Sequence, residues 1–200
     1  MKVGVLARGI METMDDGIAV GQLLVATPLL EDPGFRRSVV LLLEHDDAEG
    51  TVGVVLNRPT DVPVGEVLGS WADLVTAPPV VFQGGPVALD GALALARVQG
   101  GQAPSGWRPL NGTPVGLLDL DSPPPLIAAE VLQLRVFAGY SGWISGQLKA
   151  EIDVGAWYVV PGEAGDAFMD DPGRLWPAVL RRQGGDLALV ATFPDDPTLN

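Results

Sequence analysis

Five side chains between positions 32 and 58 have the types and spacing to do chemistry: Asp32, Arg37, His45, Asn57 and Arg58. His45 is the only histidine in the chain. Its reference pKa lies near neutrality, so it suits a general base or a proton-dependent contact. It also suits a strand end, where an imidazole hydrogen-bonds a turn. Asn57-Arg58-Pro59 closes an apolar run with two polar side chains and a proline that restricts the residue before it. Arg58 can grip a carboxylate or a phosphate through two parallel hydrogen bonds. The alternative is an internal tie, in which Arg37 or Arg58 pairs with Asp32 or Glu44 and fixes the loops. Hairpin counting outward from His45 opposite Thr51 places Val39 opposite Asn57 and Arg37 opposite Pro59. It also puts Arg37 roughly 26 Å from His45 at strand rise. That spacing argues against one catalytic cluster and for Arg37 being held by Asp32.

Gly139-Tyr140-Ser141-Gly142-Trp143 carries the second set of candidates. A nucleophile elbow requires a small residue where Trp143 stands, and no histidine follows Ser141 to complete a triad. The motif reads instead as a sharp strand-to-helix bend made by the glycines, with Tyr140 and Trp143 filling the core. Gly84-Gly85-Pro86 offers either an anion nest or a structural turn, and it lacks the Lys and Ser/Thr of a phosphate loop. With no cysteine and one histidine, no transition-metal site and no cofactor motif are expected. A carboxylate-only magnesium site drawn from Asp32, Asp46 or Asp47 is the remaining metal arrangement.

The elements that position these residues follow from the apolar runs. Leu23–Ala26, Val39–Leu43 and Val52–Leu56 are short, turn-bounded strands. The last two should pair antiparallel through Asp46–Gly50, where Gly50 permits a positive φ. Val64–Val75 has helical spacing, and Val80–Gln83 is a strand that stops at Gly84. Ala92–Val98 and Val115–Leu120 read as strands around a Gly/Pro-rich loop over 99–114. Ser122-Pro123-Pro124-Pro125 resembles a helix start, with Ile127 and Val131 on one face. Leu134–Tyr140 is a strand, and Ser145 is placed to cap a short helix over 146–152. Trp157–Val160 is a strand, Leu175-Trp176 and Val179-Leu180 share a helix face, and Leu187–Thr192 reads as a closing strand. Strands outnumber helices without regular alternation, which makes the class α+β.

The run from Gly21 to Pro59 is similar to the opening of the bacterial YqgE/AlgH family. Phe82–Val87, Ala138–Trp143 and Gly146-Gln147-Leu148 with Glu151 continue the resemblance in order and spacing. The resemblance implies a strongly bent, bifurcated mixed β-sheet that forms a pseudo-barrel with peripheral helices. It implies no established activity, although some relatives carry the label of transcriptional regulator. Many relatives have a further histidine shortly after the Gly-Gly-Pro motif. Here Ala92–Arg97 contains none.

Composition narrows the function classes. The 200 residues suit one domain over 20–200, preceded by a loose tail over 1–19 in which Met1, Met11 or Met14 is a possible start. No apolar run is long enough for a signal-peptide core or a membrane span, so the expected location is the cytoplasm. The net charge is −13, with 12 basic against 25 acidic residues. That field opposes unaided binding to nucleic acid. The leading expectation is a non-enzymatic regulatory or binding protein that acts through a protein partner or a small ligand. The alternative is an enzyme, such as a hydrolase, with a polar pocket near the 32–58 hairpin.

Overall fold

The computed structural model describes residues 17–100, 103–111 and 113–194. The first sixteen positions of the expected tail lie outside the described residues. Strand β1 (Gln22–Ala26) from Leu23 onward and strand β2 (Val39–Asp46) as far as Leu43 are continuously apolar because both of their faces are covered there. Leu23, Val25, Val39, Leu41 and Leu43 enter one core with Phe82, Phe137 and Trp176. Leu24, Ala26, Val40 and Leu42 enter a second core with Trp143, Leu148 and Trp157. Period-two alternation therefore divides each strand between two hydrophobic layers.

The remaining strands are β3 (Gly50–Val55), β4 (Pro59–Pro63), β5 (Val80–Gln83), β6 (Val87–Val98), β7 (Trp107–Pro109), β8 (Val115–Leu118), β9 (Val131–Trp143) and β10 (Trp157–Pro161). They form one sheet in the order β10-β1-β2-β3-β9-β6-β8-β7, with β4 and β5 branching from it. The fork lies on β9. Its residues 131–140 pair with β6 on one flank. Its other flank takes β5 in parallel at Phe137 and Ala138, then β3 antiparallel from Ser141 to Trp143. The result is a strongly curled, mainly antiparallel sheet that forms a half-barrel with a few helices, the α+β class expected.

The three strands of the 21–59 segment fall where expected, and β2 pairs β3 with His45 opposite Thr51. The register is not uniform. A bulge between Leu42 and Glu44 shifts the pairing by one residue, so Val40 faces Val55. Val39 therefore accepts a hydrogen bond from the Leu56 amide rather than facing Asn57. Leu43 continues the apolar run from Val39, so nothing in the sequence marks it as the extra residue.

Four other expectations are corrected. Residues 187–192 do not close the chain as a strand, because Gly185–Val190 is helical. Leu187, Val190 and Ala191 are buried at i, i+3 and i+4 while Leu189 is exposed, which is helical and not alternating burial. The proline-rich run at 122–125 makes only a 3₁₀ turn over Pro124–Leu126, and Val131 already begins β9. Three prolines remove three backbone donors, so the turn does not propagate. The motif at 139–143 is not a strand-to-helix bend. Gly139, at φ 68, kinks β9, which then continues to Trp143. The loop over 99–114 contains β7, whose Trp107 indole donates to the Ala96 carbonyl at 3.2 Å.

The helices are short: α1 (Val64–Val67), α2 (Gln147–Asp153), α3 (Leu175–Gln183) and α4 (Gly185–Val190). α1 runs into a 3₁₀ turn over Gly69–Leu74 that buries Trp71, and α3 buries Leu175, Trp176, Val179 and Leu180 as one face. No described helix is long and apolar enough to cross a membrane.

Candidate functional site

The candidate residues separate into three places. At the open end of the β2–β3 hairpin, buried Asn57 clamps the chain entering β2. Its Oδ1 accepts the Val39 amide at 3.0 Å, and its Nδ2 donates to the Arg37 carbonyl at 2.9 Å. The clamp holds Arg37 at φ 55, a left-handed conformation that is uncommon for a residue with a Cβ. The Arg37 guanidinium donates to the Phe193 carbonyl at 3.0 Å and lies over the Trp176 ring at 4.1 Å. It is not held by Asp32, whose Oδ1 instead accepts the Gly34 amide at 2.8 Å within its own loop. Arg58 reaches back across the hairpin and donates to the Arg36 carbonyl. Burial lowers the Arg58 pKa, because charge there is incompletely hydrated.

His45 stands at the other end of the hairpin. Its Nδ1 lies 2.8 Å from the Thr51 hydroxyl, and its Nε2 lies 3.5 Å from an Asp47 carboxylate oxygen that is fully exposed. The turn beyond it is closed by Asp46, whose Oδ1 accepts the amides of Ala48 and Glu49 at 2.8 and 2.9 Å. Those bonds hold the Asp46 carboxyl below the usual carboxylate range, the Glu49 amide contributing most and Ala48 next. Ser145 donates to the Asp47 carbonyl at 2.6 Å, which ties the hairpin tip to the β9–α2 junction. Ser145 therefore does not cap α2, and Gly146 occupies the capping position at φ 75. Between tip and junction lies an open concavity of about 420 Å³ bordered by His45, Asp47, Thr51, Ser145 and Lys149.

The third place is the end of β9. Trp143 is buried, and its indole donates to Glu151 Oε2 at 3.0 Å. Trp157 donates to the same oxygen at 2.8 Å, and Gln147 donates to the other at 3.0 Å. Phe35 packs against both indoles, with centroids at 6.2 and 5.6 Å. One carboxylate thus orders an aromatic cluster, so Trp143 fills core as expected. Tyr140 is half-buried on β9 opposite Val87. Ser141 is fully buried and its hydroxyl donates to the Gly84 carbonyl at 3.2 Å. The Gly84 amide donates to the Ala138 carbonyl and the Gly84 carbonyl accepts the Val55 amide, so Gly84 spends its backbone groups within the sheet. Among the described residues, no group of three or more His, Asp or Glu side chains could hold a metal ion.

Three charged residues, Arg135 and the pair Asp166 and Arg182, escaped sequence reasoning. Arg135 is wholly buried in β9 and donates to the carbonyls of Ala77, Ala167 and Met169 at 2.7, 3.0 and 3.2 Å. Its guanidinium lies 4.3 Å from the Phe82 ring centre. Burial lowers its pKa to about 10, with the charge of Asp170 acting in the opposite direction. The available signal was a lone cation inside the apolar run Leu134–Phe137. Buried Asp166 receives a two-pronged grip from Arg182 at 2.5 and 2.7 Å, which raises the Arg182 pKa. Asp166 and Arg182 lie 16 positions apart and meet only when α3 folds back, so the pair has no local signature.

The forked half-barrel with a few helices places the chain in the α+β class. A family model described as AlgH-like matches residues 23–188. The UPF0301 protein of Streptomyces coelicolor is 61% identical over 184 residues, covering 90% of this chain and 94% of the relative. A UPF0301 protein of Thermobifida fusca is 56% identical over 194 residues, covering 94% and 98%. A crystal structure of a Corynebacterium diphtheriae protein superposes with a TM-score of 0.86 at 32% identity, covering 92% of this chain and 97% of that one. The solution structure of the AlgH protein from Pseudomonas aeruginosa gives a TM-score of 0.63 at 26% identity, covering 88% and 94%. The chain belongs to the AlgH-like UPF0301 family.

Proposed function

We propose that this chain is a non-enzymatic binding protein that holds a small polar ligand, or a short segment of a protein partner, in the concavity beside His45. Any effect on transcription is then indirect, and the working location is the cytoplasm. The supporting observation is the division of labour along the hairpin. Asp32, Arg37 and Asn57 spend their polar groups on internal bonds, whereas His45 borders open space. The volume of about 420 Å³ falls in the range of roughly 300–1,000 Å³ used by small-molecule sites. Lys149 and the exposed Asp47 carboxylate supply charge of both signs at its border, and His45 adds a ring nitrogen for hydrogen bonding.

One observation favours a hydrolytic reading instead. Thr51 hydroxyl, His45 and Asp47 stand in the order of nucleophile, base and orienting acid. Against it, Thr51 is buried and Asp47 is fully in solvent, so neither is held as a nucleophile or an orienting acid requires. A thermal-shift screen against small polar metabolites, run beside ester and phosphoester hydrolysis assays, separates the two. The expected result is ligand-dependent stabilisation that His45→Ala and Lys149→Ala both abolish, with no turnover. Turnover by the wild type that vanishes in His45→Ala and Thr51→Val would overturn the binding reading.

A further inference from the structure

We infer that the concavity beside His45 binds a free α-amino acid with an aliphatic side chain, its carboxylate on Lys149, its ammonium on Asp47 and its side chain on Ile144. The inference rests on the reading of that concavity as a ligand site and names the class of ligand it takes. Opposite charges stand on its two walls. Asp47 belongs to the hairpin tip between β2 and β3, and Lys149 to the first turn of α2. Ser145 ties the walls together, its hydroxyl donating to the Asp47 carbonyl at 2.6 Å. Both charged side chains border the same space of about 420 Å³. Asp46 borders it too, but its Oδ1 already accepts the amides of Ala48 and Glu49, so Asp47 is the acid that faces a ligand.

Neither charge is locked in place by the protein. The Asp47 carboxylate is fully exposed, with His45 Nε2 at 3.5 Å. Thr51 engages the other ring nitrogen at 2.8 Å, which fixes the imidazole as a polar neighbour for that carboxylate. Lys149 lies 3.9 Å from Asp153 one turn along the helix, and both side chains are well exposed. An exposed pair of this kind contributes little, so the ammonium can turn to a ligand. Ile144 supplies the apolar wall. It is 76% exposed, and it lines the concavity with Ile18 and Leu148. Small-molecule sites combine apolar surface with a few convergent polar groups, and a side chain laid on Ile144 removes apolar area from water. A zwitterion answers Lys149 and Asp47 together. A simple carboxylate would leave Asp47 unmatched and be repelled by it, and a simple amine would meet the same repulsion from Lys149. The net charge of −13 adds to the penalty on an anion and leaves a neutral zwitterion unaffected.

The experiment titrates L-leucine into the full chain at pH 7.5 and constant ionic strength and reads binding by calorimetry. Glycine, 4-methylpentanoate and isoamylamine, which lack the side chain, the ammonium and the carboxylate in turn, are titrated in parallel. Leucine is expected to bind, and each analogue about tenfold or more weakly, the loss of one charged contact or of the covered apolar area. Lys149→Gln and Asp47→Asn change exposed side chains, and an unchanged melting temperature without ligand confirms their fold. Each should weaken leucine about tenfold. Lys149→Gln should not weaken isoamylamine, which has no carboxylate to lose, and Asp47→Asn should not weaken 4-methylpentanoate. Leucine failing to bind, or binding both variants as tightly as the wild type, would overturn the amino-acid assignment. So would 4-methylpentanoate or isoamylamine matching leucine. In either event, a different ligand from the thermal-shift screen that His45→Ala abolishes leaves the binding reading standing, whereas a screen that yields no ligand removes that reading as well.

Discussion

Arg135 shows how one residue can govern a region it was never expected to serve. Its side chain reaches from β9 to the carbonyls of Ala77 on one side of the sequence and of Ala167 and Met169 on the other, two segments far apart in the chain. Replacing it with Met would strand three acceptors, each costing about 1–3 kcal/mol if it stays dry. Relief of the buried charge offsets part of that loss. Arg135→Met is expected to lower unfolding free energy by roughly 3 kcal/mol in urea titrations. Arg135→Lys should recover only part, because one ammonium cannot span three carbonyls. A variant as stable as the wild type would show that the carbonyls find other donors. At this same scale the sequence identified Asn57 and Arg58 as positioned polar residues. It could not say that Asn57 would bond the backbone of β2, because the partners lie 18 and 20 residues away.

At the scale of elements, the β2–β3 hairpin is closed by Asp46, and that closure is linked to protons. Its folded-state pKa lies below the ordinary carboxylate value. The stabilisation is therefore present above the unfolded-state pKa and is lost as pH falls through the lower folded-state value. The stability difference between wild type and Asp46→Ala should be constant near neutrality and shrink below about pH 4, followed by denaturation at a series of pH values. A difference that grew on acidification would contradict this account. The turn after β5 depends on shape instead. Gly85 sits at φ 156, and a Cβ there would stand 2.2 Å from the Tyr140 backbone. Gly85→Ala is expected to cost about 2 kcal/mol or more and to lower the melting temperature by several degrees. The hairpin was legible because a glycine-ended acidic turn joins two apolar runs. The closing helix α4 was misread because Leu-Ala-Leu-Val-Ala fits strand and helix alike, and only packing against α3 separates them.

At the scale of the whole molecule, the acidic field governs encounters. Twelve basic residues against 25 acidic ones give a net charge of −13, which repels a phosphate backbone from most directions. The expected result is no submicromolar binding to duplex DNA at physiological salt, measured by fluorescence anisotropy. Tight binding under those conditions would reveal a basic surface strong enough to outweigh the total.

The sequence by itself determined the strand-rich α+β class, the hairpin with His45 opposite Thr51, the acidic field and the resemblance to the AlgH-like family. Each rests on short-range pattern: apolar runs, a turn, composition, or motifs in order. Tertiary structure decided the fork on β9, the bulge at Leu43 and the partners of Arg37, which are Phe193 and Trp176 instead of Asp32. It also decided which polar groups were spent internally and which face open space. Those outcomes depend on partners distant along the chain. The buried strands are apolar on both faces, so their pattern carries no mark of which neighbour they meet.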